Sequence, residues 1–404
     1  MSTLSESSAI DSAGKPRSRI EALDIFRGWT IAFMILVNTP GNGEVSWAPL
    51  QHARWHGFTP TDLVFPSFLF IIGVSAWFSL KRFHGSSQAA SLGKIWKRTG
   101  WLFLIGMLMW YVPDFVAALV TLKLGAFWRD FSENVRVLGV LGRLALCYGI
   151  GSTLALRFSP RGLIGCSAFL LLLYWGLMRF FGTGADPYSL QTNAALRLDL
   201  WLLGPNHLYH GESVDGRPFA FDPEGLLSTI PAIVTYLFGY LTGRFLDRSS
   251  DRRQALSELF PIALILVAVG FLWDYWLGFP INKKLWTSSY TLYVGGLSML
   301  LLSLAIWLVD VKRRGASLGF FNVFGRNPLL AYLVSEMGAV VLQKISVPGS
   351  DGKTQSAFQW LYAHTGAWVG GDNGLGSFLF SLGFMLACWM VSWGFYRRGI
   401  VLKL

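Results

Sequence analysis

The stretch LVFPSFLFIIGVSAWFSL, residues 63–80, decides the fold class. It carries no charge, and an α-helix of this length rises about 27 Å, close to the hydrocarbon thickness of a bilayer. Nine further apolar runs lie along the chain, near 23–39, 95–113, 137–156, 162–181, 226–246, 259–277, 289–309, 322–343 and 376–396. The pattern predicts an all-α, polytopic integral membrane bundle of about ten transmembrane helices.

Composition supports a membrane protein. Of the 404 residues, 53% are hydrophobic and only 14% are charged, against about a quarter in soluble domains. A soluble fold could not bury that much apolar surface, so we expect the lipid bilayer to be a partner. The net charge of +11 does not indicate a nucleic-acid partner, because the basic residues form no basic domain and lie in short clusters between apolar runs.

The basic clusters predict the topology. Cytoplasmic loops of membrane proteins are enriched in Lys and Arg. If the N-terminus is inside, 20 of the 34 basic residues lie on the cytoplasmic side, namely Lys15, Arg17, Arg19, Lys81, Arg82, Lys94, Lys97, Arg98, Arg157, Arg161, Arg244, Arg248, Arg252, Arg253, Lys312, Arg313, Arg314, Arg397, Arg398 and Lys403. The longer outer segments hold eleven. With an even number of spans, both termini are expected in the cytoplasm.

The chain divides into two parts by composition. Residues 1–18 are polar and Ser-rich and read as a disordered cytoplasmic tail, because no cleavable signal peptide is evident. Residues 19–404 read as one transmembrane domain.

The three cysteines, Cys147, Cys166 and Cys388, lie inside apolar runs without a CxxC pair. This pattern is typical of small buried hydrophobes and predicts no metal site.

Polar residues within the first span are candidates for function. Asp24 and Arg27 lie three residues apart, so they can pair on one helix. Ionisable groups in a membrane span are costly and often functional, although these two could equally form a structural ion pair. Asn38 ends the span; its amide could donate to a carbonyl oxygen, or it could cap the helix before the following turn.

The first outer segment carries two histidines, His52 and His56. Histidine changes charge near neutral pH and suits a general base, although a loop histidine is more often simply solvated. Asp62 follows at the start of the second span. It could orient a histidine, or it could cap the helix that begins there.

The topology arranges the remaining charged residues at two depths. An outer level includes Arg143 together with His52 and Asp62, whereas an inner level holds Asp24, Arg27 and Arg326. Because the inner level is basic, it could hold a cytosolic anion such as a nucleotide phosphate. The sequence alone does not establish whether the two levels are connected.

Several blocks resemble one known family. The chain is similar to the catalytic domain of heparan-α-glucosaminide N-acetyltransferase and its bacterial relatives, and the resemblance extends over essentially residues 19–404. The longest matching block is QHARWHGFTPTDLVFPSFLFIIG, and the other blocks are DIFRG, FDPEGLLSTIP, FPINKKLWTSSY, GRNPLLAY and YRRGIVLKL.

The resemblance implies an activity and a location. Members of this family take an acetyl group from cytosolic acetyl-CoA and deliver it to a glucosamine amine across the membrane. The resemblance therefore implies a multi-pass transferase of a bacterial inner membrane that uses acetyl-CoA as co-substrate, an amino sugar as acceptor and no metal. A homodimer is among the arrangements that remain open.

The resemblance also suggests roles for individual residues. The family's active-site histidine matches His52 rather than His56, and its asparagine on the first span matches Asn38. His52, Asn38 and Asp62 are therefore the candidate catalytic residues. Asp24, Arg27, Arg143 and Arg326 are the candidate acetyl-CoA-binding residues.

Two questions stay open at this point. His52 could act as a general base or could itself be acetylated as a nucleophile. An amino-sugar permease, specific for example for N-acetylglucosamine, is the alternative function, because about ten spans with polar groups inside would also suit a transporter.

The topology is testable by cysteine labelling. In a chain without its native cysteines, single cysteines introduced near residues 90 and 210 are expected to react from opposite sides of the membrane, with 210 outside. The reason is the unequal division of basic residues. Labelling of both positions by an impermeant reagent from the same side would show the topology to be wrong.

Overall fold

Helices account for most of the regular structure of this chain. A computed structural model describes residues 21–81, 88–249, 251–349 and 354–402. The helices run in the order α1 Glu21–Asn38, α2 Val64–Leu80, α3 Gln88–Leu108, α4 Val112–Val120, α5 Leu124–Asn134, α6 Val140–Arg157, α7 Pro160–Phe181, α8 Ala194–Leu202, α9 Thr229–Arg248, α10 Arg252–Leu277, α11 Ser288–Ile306, α12 Gly319–Arg326, α13 Pro328–Lys344, α14 Ala357–His364, α15 Gly366–Gly370 and α16 Gly374–Arg397. The predicted tail, residues 1–18, lies outside the described residues, so the boundary at residue 19 stays a prediction.

Within the described ranges, two short antiparallel hairpins lie in the long connections between helices. Strands β1 Glu212–Val214 and β2 Arg217–Phe219 form the first hairpin, in which Glu212 faces Phe219. Strands β3 Ser346–Pro348 and β4 Thr354–Ser356 form the second.

Among the described residues, six helical segments are long and apolar enough to cross a membrane. They are Pro60–Leu80, Ser91–Val120, Pro160–Phe181, Arg252–Leu277, Ser288–Val311 and Gly374–Arg397. The helical fold and the membrane class expected from the sequence are thereby supported in their coarse form, that of an integral membrane helical protein. The count of ten spans and the orientation stay predictions.

The other four predicted spans also lie on helices, but these are less uniformly apolar or shorter. Helix α1 carries Glu21, Asp24 and Arg27 near its start. The predicted span 322–343 is divided between α12 and α13, which meet at Asn327. Pro328 follows and lacks an N–H to continue the hydrogen bonding of α12.

The spans differ in where they lie. Of the most apolar 18 residues in each segment, 67% are buried in Pro60–Leu80 and 61% in Ser288–Val311, against 11% in Ser91–Val120 and 22% in Arg252–Leu277. Helices α2 and α11 therefore form the centre of the bundle. The outer helices expose large apolar side chains such as Phe169, Ile265 and Phe271, a surface that lipid would cover.

Glycines allow helices α2 and α9 to pack closely. A Cβ atom added at Gly73 would lie 2.0 Å from the carbonyl oxygen of Tyr236, and one at Gly239 would lie 1.9 Å from that of Phe70. No side chain fits at these distances, so the two backbones are in direct contact. Small residues serve this purpose at helix crossings in membrane proteins. Helix α2 also begins directly after Asp62, so this crossing fixes one wall of the candidate site.

Replacing Gly239 is expected to disturb this crossing. Gly239→Ala should destabilise the protein by about 1–3 kcal/mol, the usual cost of overpacking. Gly176→Ala in α7 is the matched control, because a Cβ atom there would meet nothing within 4 Å and alanine favours a helix over glycine. Thermal unfolding in detergent should show a lower midpoint for Gly239→Ala only. Equal midpoints in the two variants would contradict close packing at Gly239.

Candidate functional site

A cavity of about 570 Å³ runs through the bundle. Arg27, in the first half of α1, and Asn38, the last residue of that helix, both line it. Eleven residues separate them, which corresponds to roughly 16 Å along the helix axis. His52, Lys283, Glu224 and Glu336 also line the cavity. The cavity therefore connects two groups of polar residues whose connection the sequence left open.

Apolar side chains form most of the wall between the two ends. Helices α1, α2, α3, α6 and α13 contribute them, namely Met34, Phe68, Ile71, Ile72, Leu102, Leu144 and Leu329. Such a wall suits an extended ligand of mixed polarity, because it offers little hydrogen bonding along its length.

The clearest polar pair at the cavity is His52 with Asp62. Nδ1 of His52 lies 2.7 Å from Oδ1 of Asp62. The Asp62 carboxylate is 1% exposed, whereas the His52 side chain is 41% exposed and lines the cavity. Because an ionised carboxylate only accepts hydrogen bonds, Nδ1 carries the hydrogen and the lone pair lies on Nε2.

Asp62 also fixes the loop that carries His52. Its Oδ2 accepts hydrogen bonds from the Ala53 N–H at 3.1 Å, the Thr59 N–H at 3.0 Å and the Thr59 hydroxyl at 3.1 Å. Its main-chain oxygen accepts from the Tyr290 hydroxyl at 2.6 Å. One buried residue therefore orients the imidazole, closes the loop before α2 and connects it to α11.

Lys283 is the nearest cation to this pair. Its Nζ lies 3.1 Å from each ring nitrogen of His52 and 4.0 Å from Oδ1 of Asp62. Burial lowers the pKa of His52, the positive charge of Lys283 lowers it further, and Asp62 opposes both effects. A histidine whose pKa is lowered is uncharged at neutral pH and can accept a proton.

Asn38 and Glu336 form a second pair on the cavity wall. The Asn38 Nδ2 donates to Oε1 of Glu336 at 3.4 Å, a long bond that a ligand could replace. Among the described residues, no Lys, Arg or His lies within ion-pair distance of Glu336. The cavity wall therefore carries one amide donor, from Asn38, and one carboxyl group, from Glu336, that has no cationic partner among the described residues.

A charged cluster supports the same end of the cavity. Arg136 donates to Asp222 from Nε at 2.9 Å and from Nη2 at 2.7 Å, and Nη2 also donates to Glu224 at 2.7 Å. Glu224 lines the cavity. Asp199 lies nearby and accepts the Leu226 N–H at 3.0 Å; burial raises its pKa to about 7.

Arg143 is placed behind this wall. It is 1% exposed, its Nη2 donates to the Gly225 oxygen at 3.0 Å and to the Ser228 hydroxyl, and its guanidinium lies over the Trp286 ring at 5.2 Å. Within the described part of the chain, its Nε and Nη1 have no hydrogen-bond partner. Arg143 does not line the cavity.

The other end of the cavity is basic. Nη1 of Arg27 donates to Asp24 at 3.0 Å and to the Gly325 oxygen at 2.9 Å, and Nη2 donates to Ser75 at 2.7 Å. Arg98 also lines the cavity, and its guanidinium lies over Tyr148 at 4.9 Å. The structure therefore combines an ion pair between Asp24 and Arg27 with access of Arg27 to the cavity.

The candidate residues from the sequence separate into two groups. His52, Asn38 and Arg27 line the cavity, and Asp62 and Asp24 contact two of them. Arg143 and Arg326 do not line it; the Arg326 guanidinium lies over Tyr396 at 5.3 Å.

His56 lies apart from the cavity. Its Nδ1 is 3.3 Å from Nδ2 of Asn282, and it is not part of the cavity wall. In the described ranges, no group of three or more His, Cys, Asp or Glu side chains is arranged to hold a metal ion.

Four charged residues that line the cavity were not among the candidate site residues from the sequence: Lys283, Arg98, Glu224 and Glu336. Lys283 and Glu224 lie in the blocks FPINKKLWTSSY and FDPEGLLSTIP, which carried part of the family resemblance. That resemblance was the available signal, because a lysine between two helices otherwise resembles any surface lysine.

Comparison with known proteins agrees with the resemblance. The model of the family described as heparan-alpha-glucosaminide N-acetyltransferase, catalytic, matches residues 19–275. Over 374 residues the chain is 29% identical to the mouse heparan-alpha-glucosaminide N-acetyltransferase. This alignment covers 79% of this chain and 54% of the mouse protein. The human protein of the same name is 29% identical over 365 residues, with 79% and 53% covered. The chain spans about half the length of these curated relatives.

Proposed function

This chain belongs to the heparan-alpha-glucosaminide N-acetyltransferase catalytic family, and from that membership we propose that it is a membrane-embedded acyltransferase. In the proposed reaction, an acetyl group moves from cytosolic acetyl-CoA to the amine of an extracytoplasmic, glucosamine-like sugar. The observation that carries the proposal is the cavity that both Arg27 and the His52–Asp62 pair reach.

The cavity suits the donor substrate by its chemistry. Acetyl-CoA has an anionic nucleotide end, an extended pantetheine arm and a thioester. Arg27 and Arg98 would meet the phosphates, and the apolar middle would take the arm. Asp24 would hold Arg27 in place, and Arg326 would add positive charge nearby. Arg143 would act only indirectly, through Gly225 and Ser228.

The thioester would then lie at the His52 end. The acceptor nitrogen attacks the carbonyl carbon, and His52 Nε2 takes a proton from that nitrogen. The C–S bond then breaks, and the CoA thiolate leaves as the thiol after it takes the proton from His52. Asp62 holds the ring with Nε2 available. Asn38 would donate to the carbonyl oxygen as charge develops there, a contribution of roughly 3–4 kcal/mol in measured cases. If His52 attacks first, the same geometry serves a nucleophile.

Further parts of the proposal concern location and assembly. We expect ten spans with both termini in the cytoplasm, in a bacterial inner membrane, so that the His52 end faces outward. A homodimer is compatible with this arrangement. The permease alternative gains nothing from the comparisons, because both relatives are named acetyltransferases. A permease would also not need to bind acetyl-CoA.

The first functional prediction separates the two histidines. His52→Ala should reduce acetyl transfer by at least about 10²–10⁴-fold, the usual contribution of a general base, and should still bind acetyl-CoA. His56→Ala is the matched control and should keep most activity, because His56 does not line the cavity. The measurement is transfer from labelled acetyl-CoA to glucosamine in proteoliposomes. Substantial turnover by His52→Ala would rule out the mechanism, and no transfer by the wild type to any amino sugar would favour the permease.

The second functional prediction concerns the basic end. Arg27→Ala should weaken acetyl-CoA binding by roughly ten- to a hundredfold, because a hydrogen bond to a charged group contributes roughly 1.5–3 kcal/mol. The measurement is the rise in unfolding temperature that the ligand produces in detergent. Arg161→Ala, an exposed arginine that does not line the cavity, is the control.

The unliganded protein supplies the second control for Arg27. A folded Arg27→Ala variant with normal affinity would mean that the phosphates bind elsewhere. Loss of folding without ligand would instead indicate that the pair with Asp24 is mainly structural.

A further inference from the structure

Lys283 has a position that the proposed acetyl transfer does not by itself require. Its Nζ is 3.1 Å from both ring nitrogens of His52, and 4.0 Å from the carboxylate that holds the ring. The Lys283 side chain is 19% exposed and lines the cavity. Because the two distances are equal, the ammonium lies over the face of the ring, and its contact with His52 is electrostatic rather than a hydrogen bond to the in-plane lone pair of Nε2.

The backbone that carries Lys283 is held firmly. Helix α10 ends at Leu277 and is capped by Gly278, which has the left-handed φ of 61°. Beyond it, the Asn282 side chain accepts the Leu285 N–H at 2.8 Å, and the Lys283 oxygen accepts the Trp286 N–H at 3.0 Å. Asn282 itself is fully buried. Lys283 therefore projects from a fixed turn rather than from a free loop.

Several charged groups face His52 from the surrounding elements. Asp62 favours the imidazolium, whereas Lys283 and Lys284 disfavour it. Lys284 is directed away, to the Arg54 oxygen at 3.0 Å and to Glu212. Glu224 and Glu336 lie on the same cavity wall, the first paired with Arg136 and the second hydrogen-bonded to Asn38. Lys283 is thus the cation in direct contact with the ring.

Asp62 creates a problem that a cation can solve. A carboxylate next to a histidine orients the ring, but it also stabilises the protonated form. A protonated imidazole has no lone pair on Nε2 and cannot accept a proton from an amine. An ammonium beside the ring opposes that protonation, because the two positive charges repel each other.

We propose that Lys283 is a positioning residue that keeps the His52 imidazole uncharged while Asp62 holds its orientation. Its use in catalysis rests on the proposed function, but its effect on the charge of His52 does not. In this arrangement Asp62 selects the tautomer and Lys283 selects the charge. Because the ammonium lies over the face of the ring, the in-plane lone pair of Nε2 stays open to an acceptor amine.

The direction of the pH effect follows from these contacts. Removing the positive charge at residue 283 should raise the pKa of His52. At a fixed acidic pH, a smaller fraction of His52 is then uncharged. Any reaction that needs the uncharged ring should therefore be lost at a higher pH in the variant than in the wild type.

The direct test is modification of His52 by diethyl pyrocarbonate, which reacts with uncharged imidazole. The rate at the peptide containing His52 is followed by mass spectrometry as a function of pH, in full-length protein in detergent. Lys283→Gln removes the charge while keeping a hydrogen-bond donor. Its reactivity midpoint should move to higher pH, whereas Lys283→Arg should stay near the wild type.

Two controls keep the test decisive. Lys284→Gln removes a neighbouring charge that is directed at Glu212, and it should change the midpoint less than Lys283→Gln. If Lys283→Gln does not fold, judged by thermal unfolding, Lys283→Met replaces it as the uncharged variant. An unchanged midpoint in the folded uncharged variant, or an equal shift in Lys283→Arg, would overturn the proposal.

Acetyl transfer supplies a second, separate readout. If the proposed function is right, the acidic limb of the pH profile of kcat/KM should move to higher pH in Lys283→Gln and return toward the wild type in Lys283→Arg. If the wild type transfers no acetyl group, the proposed function fails. The chemical modification still tests Lys283 in that case, because it needs neither substrate.

Discussion

The buried carboxylate of Asp62 is the interaction on which the site depends. It accepts hydrogen bonds from the His52 ring, from two backbone N–H groups and from the Thr59 hydroxyl. A buried charge is tolerated only when it is well satisfied, so the loop must wrap around Asp62 to fold at all. That requirement places His52 at the cavity and begins α2 at a fixed point. The same carboxylate therefore holds the loop together and orients the His52 ring.

The helices around this loop form a closely packed crossing on one side and a cavity on the other. Close contact between α2 and α9 through Gly73 and Gly239 leaves no space between these two helices, whereas the cavity runs beside α1 from Arg27 to Asn38. One end of the cavity is basic, at Arg27, and the other combines His52 with carboxylates. This polarity gives an anionic ligand a direction along the cavity, because each end favours a different charge.

Much of the fold was predictable because it depends on local composition. Apolar runs long enough for a bilayer form helices wherever they occur, since a backbone in lipid must satisfy its own hydrogen bonds. Helix boundaries were harder to predict where an apolar run also contains a helix-breaking or charged residue. The predicted span 322–343 is two helices, because Asn327 and Pro328 interrupt the hydrogen bonding. The charges near the start of α1 lower its hydropathy, although most of its residues are buried against other helices.

The sequence by itself determined the membrane class, most helices and the two residues His52 and Asp62, which are ten apart and joined by a short loop. Only the tertiary structure brought Lys283 to His52 across 231 residues, and Glu336 to Asn38 across 298. It also showed that Arg27 reaches the cavity, whereas Arg143 and Arg326 do not. The physical reason is that hydropathy and spacing specify a helix and its neighbours in the chain. The contacts between distant helices depend on how their surfaces pack.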